Sequence, residues 1–294
     1  MSAFRSGSVG LLGRPNTGKS SLLNRLLGQK LAIVSPRAQT TRHLLTGILT
    51  GPDYQIAFVD APGFQIRHRN LLNRSLNRRA GEAARDADVV AFVVEALRFN
   101  EQDRAALGRA PEGRPVVAVV NMIDKVRPAS RLLPYLARLA ALHPFAAVVP
   151  VSAVTGRNVG ELLRVLRELL PEGPPQYPAE QLTDRDERFF AAELLREKLF
   201  RQLGEELPYH CEVRIDTFRE EGRLRRIDAT LWVEREAHRP IVLGAGGARL
   251  KRIATDARRD MERMFGGKVF LQVWVKVRPR WSEDPRLMRE LGYT

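Results

Sequence analysis

The residues best equipped for chemistry lie near the N-terminus, where Gly13, Arg14, Pro15, Asn16, Thr17, Gly18, Lys19 and Ser20 spell GxxxxGK[ST]. Glycines at both ends of such a run let the backbone curl tightly and aim its N–H groups inward, which suits phosphates at a helix N-terminus. A lysine in that place reaches the β- and γ-phosphates, and the hydroxyl after it offers an oxygen to Mg²⁺. Lys19 and Ser20 are the candidates for those tasks, with Ser21 beside them in the cradle. The bland alternative is a glycine-rich turn between a strand and a helix. The pattern points instead to a nucleoside triphosphate and its Mg²⁺.

Such a loop works only if a strand delivers it and a helix receives it. Short apolar runs at Ser8–Leu12, Gln55–Val59, Val89–Val94, Val116–Val120 and Ala146–Val151 read as buried strands. Helical periodicity at Lys19–Leu27, Leu71–Arg85, Arg131–Leu142 and Gly160–Leu170 separates them. This alternation predicts an α/β fold, a mostly parallel sheet covered on both faces. Three more motifs fall just after strands, where ligands bind in open α/β sheets. They are Asp60-Ala61-Pro62-Gly63, Asn121-Met122-Ile123-Asp124 and Ser152-Ala153. Asp60 stands where a Mg²⁺ carboxylate belongs, and Gly63 where a backbone N–H meets the γ-phosphate.

With these motifs the chain resembles GTPases of the translation-factor class. The resemblance implies that Asp124 accepts hydrogen bonds from N1–H and the exocyclic amine of guanine. Adenine has no N1–H to offer, so GTP and GDP are the expected ligands. Two residues depart from the class pattern. Met122 replaces the lysine of NKxD, which predicts weaker nucleotide affinity with base choice retained. Phe64 stands where other members carry a water-orienting glutamine, so slow intrinsic hydrolysis is expected. A first switch is sought in Ser35–Arg42, with Thr41 as the hydroxyl for Mg²⁺, and a second from Gly63 into Gln65–Asn70. Lys19, Thr41, Asp60 and Gly63 are the expected catalytic set, acting mainly by electrostatic stabilisation. In relatives of this class the phosphate-loop asparagine can coordinate K⁺, and Asn16 is the residue that would do so.

The α/β rhythm ends at Pro171–Pro178, four prolines in eight residues, which reads as a stiff linker. The expected division is a P-loop GTPase domain over 1–171, a linker over 172–185 and a smaller α+β domain over 186–294. In the last, a helix pattern at Asp186–Leu203 precedes two runs of period two joined through Glu220–Arg223. A short segment at Pro240–Leu243, a glycine cluster at 244–247, a helix at Ala248–Phe265 and a strand at Val269–Val277 follow. Gly244, Ala245, Gly246 and Gly247 make a GxxG, a weak signal alone and equally a helix cap. The order α-β-β-α-GxxG-α-β is the layout of a type II KH domain, whose GxxG clamps RNA backbone. Gly244–Gly247 with Arg249, Lys251 and Arg252 are therefore the RNA-binding candidates. Residues 244–280 hold ten basic and three acidic residues, so positive charge concentrates there.

Taken together, QTTR at 39–42, the DxPG motif, the proline-bearing linker and the terminal KH layout resemble the Era family of GTPases. The stretch from Lys276 to Tyr293 is similar to that family's C-terminal segment. The resemblance implies binding to the 3′ end of 16S rRNA and to the 30S subunit, service in small-subunit assembly, and peripheral contact with the inner face of the cell membrane. A monomer is expected. Ala245 stands where the family's GKGG loop has lysine, removing one phosphate-seeking charge. Two rival readings are an RNA-binding protein that holds GTP without hydrolysing it and a GTPase serving tRNA modification.

Bulk properties agree with this assignment. Across 294 residues, 44% hydrophobic and 28% charged composition excludes a disordered or fibrous chain. A formal net charge of +14 excludes an acidic solvating protein and favours a polyanionic partner. Arginine bias accounts for part of the excess, since only seven of 48 basic residues are lysine. Arg67, Arg69, Arg74, Arg78, Arg79 and Arg85 form a basic stripe in and after the second switch, expected to be a second rRNA or ribosome contact gated by nucleotide. The single cysteine, Cys211, permits no internal disulfide, and no apolar run reaches 18 residues. A cytoplasmic location is expected.

Overall fold

The computed structural model describes residues 3–37, 39–64, 71–204 and 206–293. The chain forms two compact units, one running to Asp184 and the other from Arg185 onward. The first unit is a six-stranded sheet with helices. Its elements are β1 (Arg5–Leu12), α1 (Lys19–Leu27), β2 (Leu45–Thr50), β3 (Tyr54–Asp60), α2 (Leu71–Asp86), β4 (Val89–Glu95), α3 (Glu101–Leu107), β5 (Val116–Asn121), α4 (Leu132–Ala140), β6 (Ala147–Pro150) and α5 (Val159–Leu169). Strand order is β2-β3-β1-β4-β5-β6, parallel except for β2, which runs antiparallel to β3. Every residue of β5 is buried, as is all of β4 but its last. Covering both faces of a parallel sheet demands such continuous apolar runs, and that is why the central strands are visible in the sequence.

Two elements escape periodicity. β2 is a short edge strand interrupted by Gly47, where a Cβ would stand 2.5 Å from Leu27 Cδ1. Glycine there lets α1 lie close. α3 has only seven residues and is held by a capping box, Asn100 accepting from the N–H groups of Gln102 and Asp103 while the Asp103 carboxylate accepts from the N–H of Asn100. The proline-rich segment is no free spacer. Gln55, 1% exposed, accepts from the N–H groups of Gln176 and Tyr177 and donates to Tyr177 O. Further on, Ile48 N–H donates to Leu182 O, Gly47 bridges to Thr183, and Asp184 accepts from Thr46. The segment thereby covers the edge strand, whose open hydrogen-bonding groups would otherwise invite pairing.

The second unit contains α6 (Glu187–Gln202), β7 (Cys211–Glu221), β8 (Leu224–Val233), α7 (His238–Leu243), α8 (Ala248–Phe265), β9 (Lys268–Val277) and α9 (Pro285–Glu290). β7 and β8 form an antiparallel hairpin and β9 lies parallel to β8, in the order β7-β8-β9. Helix α8 buries Ile253, Ala257, Met261 and Phe265, one residue per turn. Asp186 caps α6 by accepting from the N–H of Phe189. Trp281, Met288 and Tyr293 are fully buried, and the Tyr293 hydroxyl donates to Glu212 Oε2 at 2.5 Å, tying the C-terminal segment to β7. Among the described residues no helix is long and apolar enough to cross a membrane.

Candidate functional site

The phosphate loop leaves β1 and enters α1 through a backbone that only certain residues adopt. Gly13, Asn16 and Gly18 all have positive φ, 153°, 63° and 89°. A Cβ on Gly13 would meet Val93 O at 2.4 Å, and one on Gly18 would meet Asn121 Nδ2 at the same distance. Lys19 is 6% exposed, and its ammonium donates to the carbonyls of Gly13 and Arg14 at 3.1 and 3.0 Å. Burial pulls its pKa down to about 8, with the Asp60 carboxylate opposing the fall.

Three residues far apart in sequence meet at the first turn of α1. The Ser20 hydroxyl lies 2.9 Å from the Thr41 hydroxyl and donates to Asp60 Oδ2 at 2.6 Å. Two hydroxyls and a carboxylate form the all-oxygen donor set that Mg²⁺ takes together with phosphate oxygens and water. Thr41 thereby stands with the other two. Beyond Asp60, Ala61 and Pro62 are buried, and a Cβ on Gly63 would stand 2.7 Å from Pro15 N. Pro15 and Gly63 thus pack backbone to backbone.

The base-recognition motifs converge on the same loop. Asn121 donates from Nδ2 to Thr17 O at 2.9 Å, and its Oδ1 accepts from the N–H groups of Met122 and Ala153. One buried amide thus joins three motifs. Asp124 is steadied by the Ser152 hydroxyl, which donates to its Oδ1 at 2.6 Å. The Met122 methyl lies 3.6 Å from where a Gly18 Cβ would be, so its side chain runs beside the phosphate loop. Lys125 donates to the Met122 sulfur at 3.4 Å.

Other residues of this site carry no motif. Arg14 turns its guanidinium away along Glu95 at 2.7 Å and Asp103 at 3.1 Å, so its side chain braces the loop from behind. Burial raises the Asp103 pKa, against the Asn100 N–H and the Arg14 charge. Arg25 of α1 donates to the carbonyls of Ala153 and Val154. The Asn100-x-x-Asp103 spacing was a readable cap signal, whereas nothing local marks Glu95 or Arg25. Phe64 is 6% exposed within the core, and the Arg109 guanidinium carbon sits 3.8 Å from its ring centroid. Gln65–Asn70, the core of the expected second switch and the site of Arg67 and Arg69, lies outside the described residues. Arg74, Arg78 and Arg85 are exposed on α2, with Arg78 paired to Glu82.

In the second unit Gly244, Gly246 and Gly247 all have positive φ, 71°, 55° and 79°, between α7 and α8. A Cβ on Gly244 would stand 2.8 Å from Arg249 Cβ. Ala245, Gly246, Lys251 and Arg252 are exposed around the opening of α8, where unpaired N–H groups favour an anion. Arg249 donates to Ile241 O at 2.6 Å, which holds it against α7.

Comparison with known proteins follows this division. A family model described as a 50S ribosome-binding GTPase matches residues 8–122, and a KH-domain model matches residues 206–282. The GTPase Era of Nitrosomonas eutropha is 49% identical over 292 residues, covering 99% of both chains. That of Neisseria meningitidis serogroup C is 50% identical over 98% of this chain and 95% of the relative. Among solved structures, a variant of Aquifex aeolicus Era bound to GDP·AlF4⁻ superposes with a TM-score of 0.95 at 36% identity, over 99% of this chain and 100% of that one. An Era in complex with MgGDPNP and nucleotides 1506–1542 of 16S ribosomal RNA gives the same score and identity, over 99% of each.

Proposed function

The chain belongs to the Era family of GTPases, and from that membership we propose that it binds the 3′ end of 16S rRNA on the 30S subunit and times a step of small-subunit assembly by hydrolysing GTP. It is a GTP-hydrolysing enzyme with a P-loop GTPase domain followed by a KH domain. The meeting of Ser20, Thr41 and Asp60 at one corner of the phosphate loop is the observation that carries the mechanism. These three would hold Mg²⁺, which when bound neutralises charge on the β- and γ-phosphates. Lys19 supplies a second positive charge from a nearly dry site, where it acts with little screening. Asp124, fixed by Ser152, selects guanine. Phe64 is packed under Arg109 and has no polar atom, so it orients no water, and slow turnover follows.

In this reading the nucleotide state decides when the RNA is held. GTP orders the segment carrying Thr41, Gly244–Gly247 with Lys251 and Arg252 grips single-stranded RNA, and hydrolysis ends the association. The protein works as a cytoplasmic monomer with peripheral membrane contact, and Asn16 takes K⁺ in the GTP-bound form. The test is crosslinking of the full chain to 30S particles with GTP, GDP and a non-hydrolysable analogue, alongside single-turnover hydrolysis with and without the RNA and K⁺. Crosslinks at the 16S 3′ end that persist with the analogue and vanish with GDP are expected. Crosslinks indifferent to nucleotide would overturn the timing role.

A further inference from the structure

Strand β9 presents a row of side chains that neither the GTP site nor the GxxG loop uses. Its alternate residues Lys268, Phe270, Gln272, Trp274 and Lys276, and Arg278 just past its end, are all exposed, and none is acidic. Phe270 is 40% and Trp274 46% exposed, two of the few large apolar side chains left open to solvent. The intervening residues Val269 to Val277 face α8 on the other side of the sheet, so this row is the outer face. Register places Arg226 opposite Phe270, Asp228 opposite Gln272 and Thr230 opposite Trp274, with Asp228 held by the Thr217 hydroxyl. The Arg226 guanidinium carbon lies 4.7 Å from the Phe270 ring centroid while its Nε pairs with Glu221 at 3.3 Å.

At one end this face is already covered. Trp232, opposite Lys276, is 2% exposed, with Arg214 and Arg278 each 5.8 Å over its ring. Tyr293 bonds Glu212 and Glu290 pairs with Arg214 there. The C-terminal segment stops short of Phe270 and Trp274. The two rings share one face of the strand, so they form a joined aromatic patch rather than scattered exposed side chains.

We propose that the outer row of β9 is a second RNA-binding surface, where Phe270 and Trp274 stack unpaired bases and Lys268, Lys276 and Arg278 hold the phosphates that flank them. The inference rests on the proposed RNA binding by this unit. Two rings four residues apart on a strand stand about 13 Å from each other. Gln272 lies between them on the same face, and its amide both donates and accepts, as a base edge requires. A pair of aromatic rings flanked at both ends by cations matches flat bases joined to a phosphate backbone. Because β9 pairs on one side only, RNA leaving the GxxG face can pass round its free edge onto this row.

Trp274 reports on its own surface, since Trp232 and Trp281 are buried. The full chain is titrated with the 16S fragment of nucleotides 1506–1542 and with a single-stranded tetranucleotide, following tryptophan fluorescence and affinity. The fragment is expected to quench the emission. Phe270→Ala with Trp274→Ala should weaken its binding roughly tenfold or more while tetranucleotide binding, which fills the GxxG site alone, stays within twofold. Trp274→Phe should keep the affinity and lose the quenching, which separates stacking from misfolding. Unchanged affinity in the double variant, with no quenching in the parent, overturns this surface while leaving RNA binding by the unit intact. So does a 30S protein captured on the row without effect on RNA affinity. Failure of the parent protein to bind the fragment at all overturns the proposed function, and this inference with it.

Discussion

Lys19 shows how burial turns an ordinary side chain into a responsive one. Its pKa of about 8 lies below the unfolded value of 10.5, so between those pH values the unfolded chain holds a proton that the native chain has lost. The penalty for burying the charge is therefore complete below about pH 8 and fades as pH rises toward 10.5. A triphosphate arriving beside Lys19 restores its charge. GTP binding at pH 8.5 should accordingly take up a fraction of a proton, and affinity should fall from pH 7 to 9. Calorimetry in two buffers of different ionisation enthalpy reads this directly, and equal heats would contradict it. Asp124 acts by a different physics, two charge-assisted hydrogen bonds worth about 3–6 kcal/mol together. Asp124→Asn should cost at least about a hundredfold in GTP affinity and favour xanthine nucleotides, as competition binding would reveal.

At the scale of elements, the proline-rich segment 172–184 acts as a covering strip for β2, latched by one glutamine. Gln55→Leu removes the acceptor for two N–H groups and the donor to Tyr177 O, at an expected cost of about 1–3 kcal/mol. Faster proteolysis between Gly173 and Asp184, and a lower Tm, are the readouts. Gly63→Ala tests the contact between the DxPG turn and the phosphate loop, because the new Cβ would sit 2.7–2.8 Å from backbone atoms of Pro15. Backbone cannot yield as a side chain does, so hydrolysis should fall well over tenfold even if nucleotide still binds. An unaffected rate would show that the turn relaxes freely. The central strands and long helices were legible in the sequence because continuous burial or one apolar stripe imposes a period. β2 and α3 were not, being short and held by tertiary contacts and a cap.

For the whole molecule the relevant quantity is the distribution of its +14 charge. Residues 1–171 hold 24 basic and 12 acidic residues, and Arg74, Arg78 and Arg85 stand exposed along α2. If that helix meets RNA phosphates, replacing Arg74, Arg78 and Arg79 with glutamine should weaken 30S binding and lower the slope of log affinity against log salt by about two to three. Filter binding from 50 to 300 mM salt measures both. A parallel loss without change of slope would place these arginines in protein–protein contact instead.

Residue type and spacing alone determined the triphosphate loop, the preference for guanine and the KH layout, because each depends on a local backbone path or a short-range period. Only tertiary structure decided that Thr41 joins Ser20 and Asp60, that one amide on Asn121 links three motifs, and that the Arg14 guanidinium lies against Glu95 and Asp103. It also decided which of two alternating rows on β9 is left open. Such facts arise where segments distant in sequence pack together, and sequence spacing carries no measure of that distance.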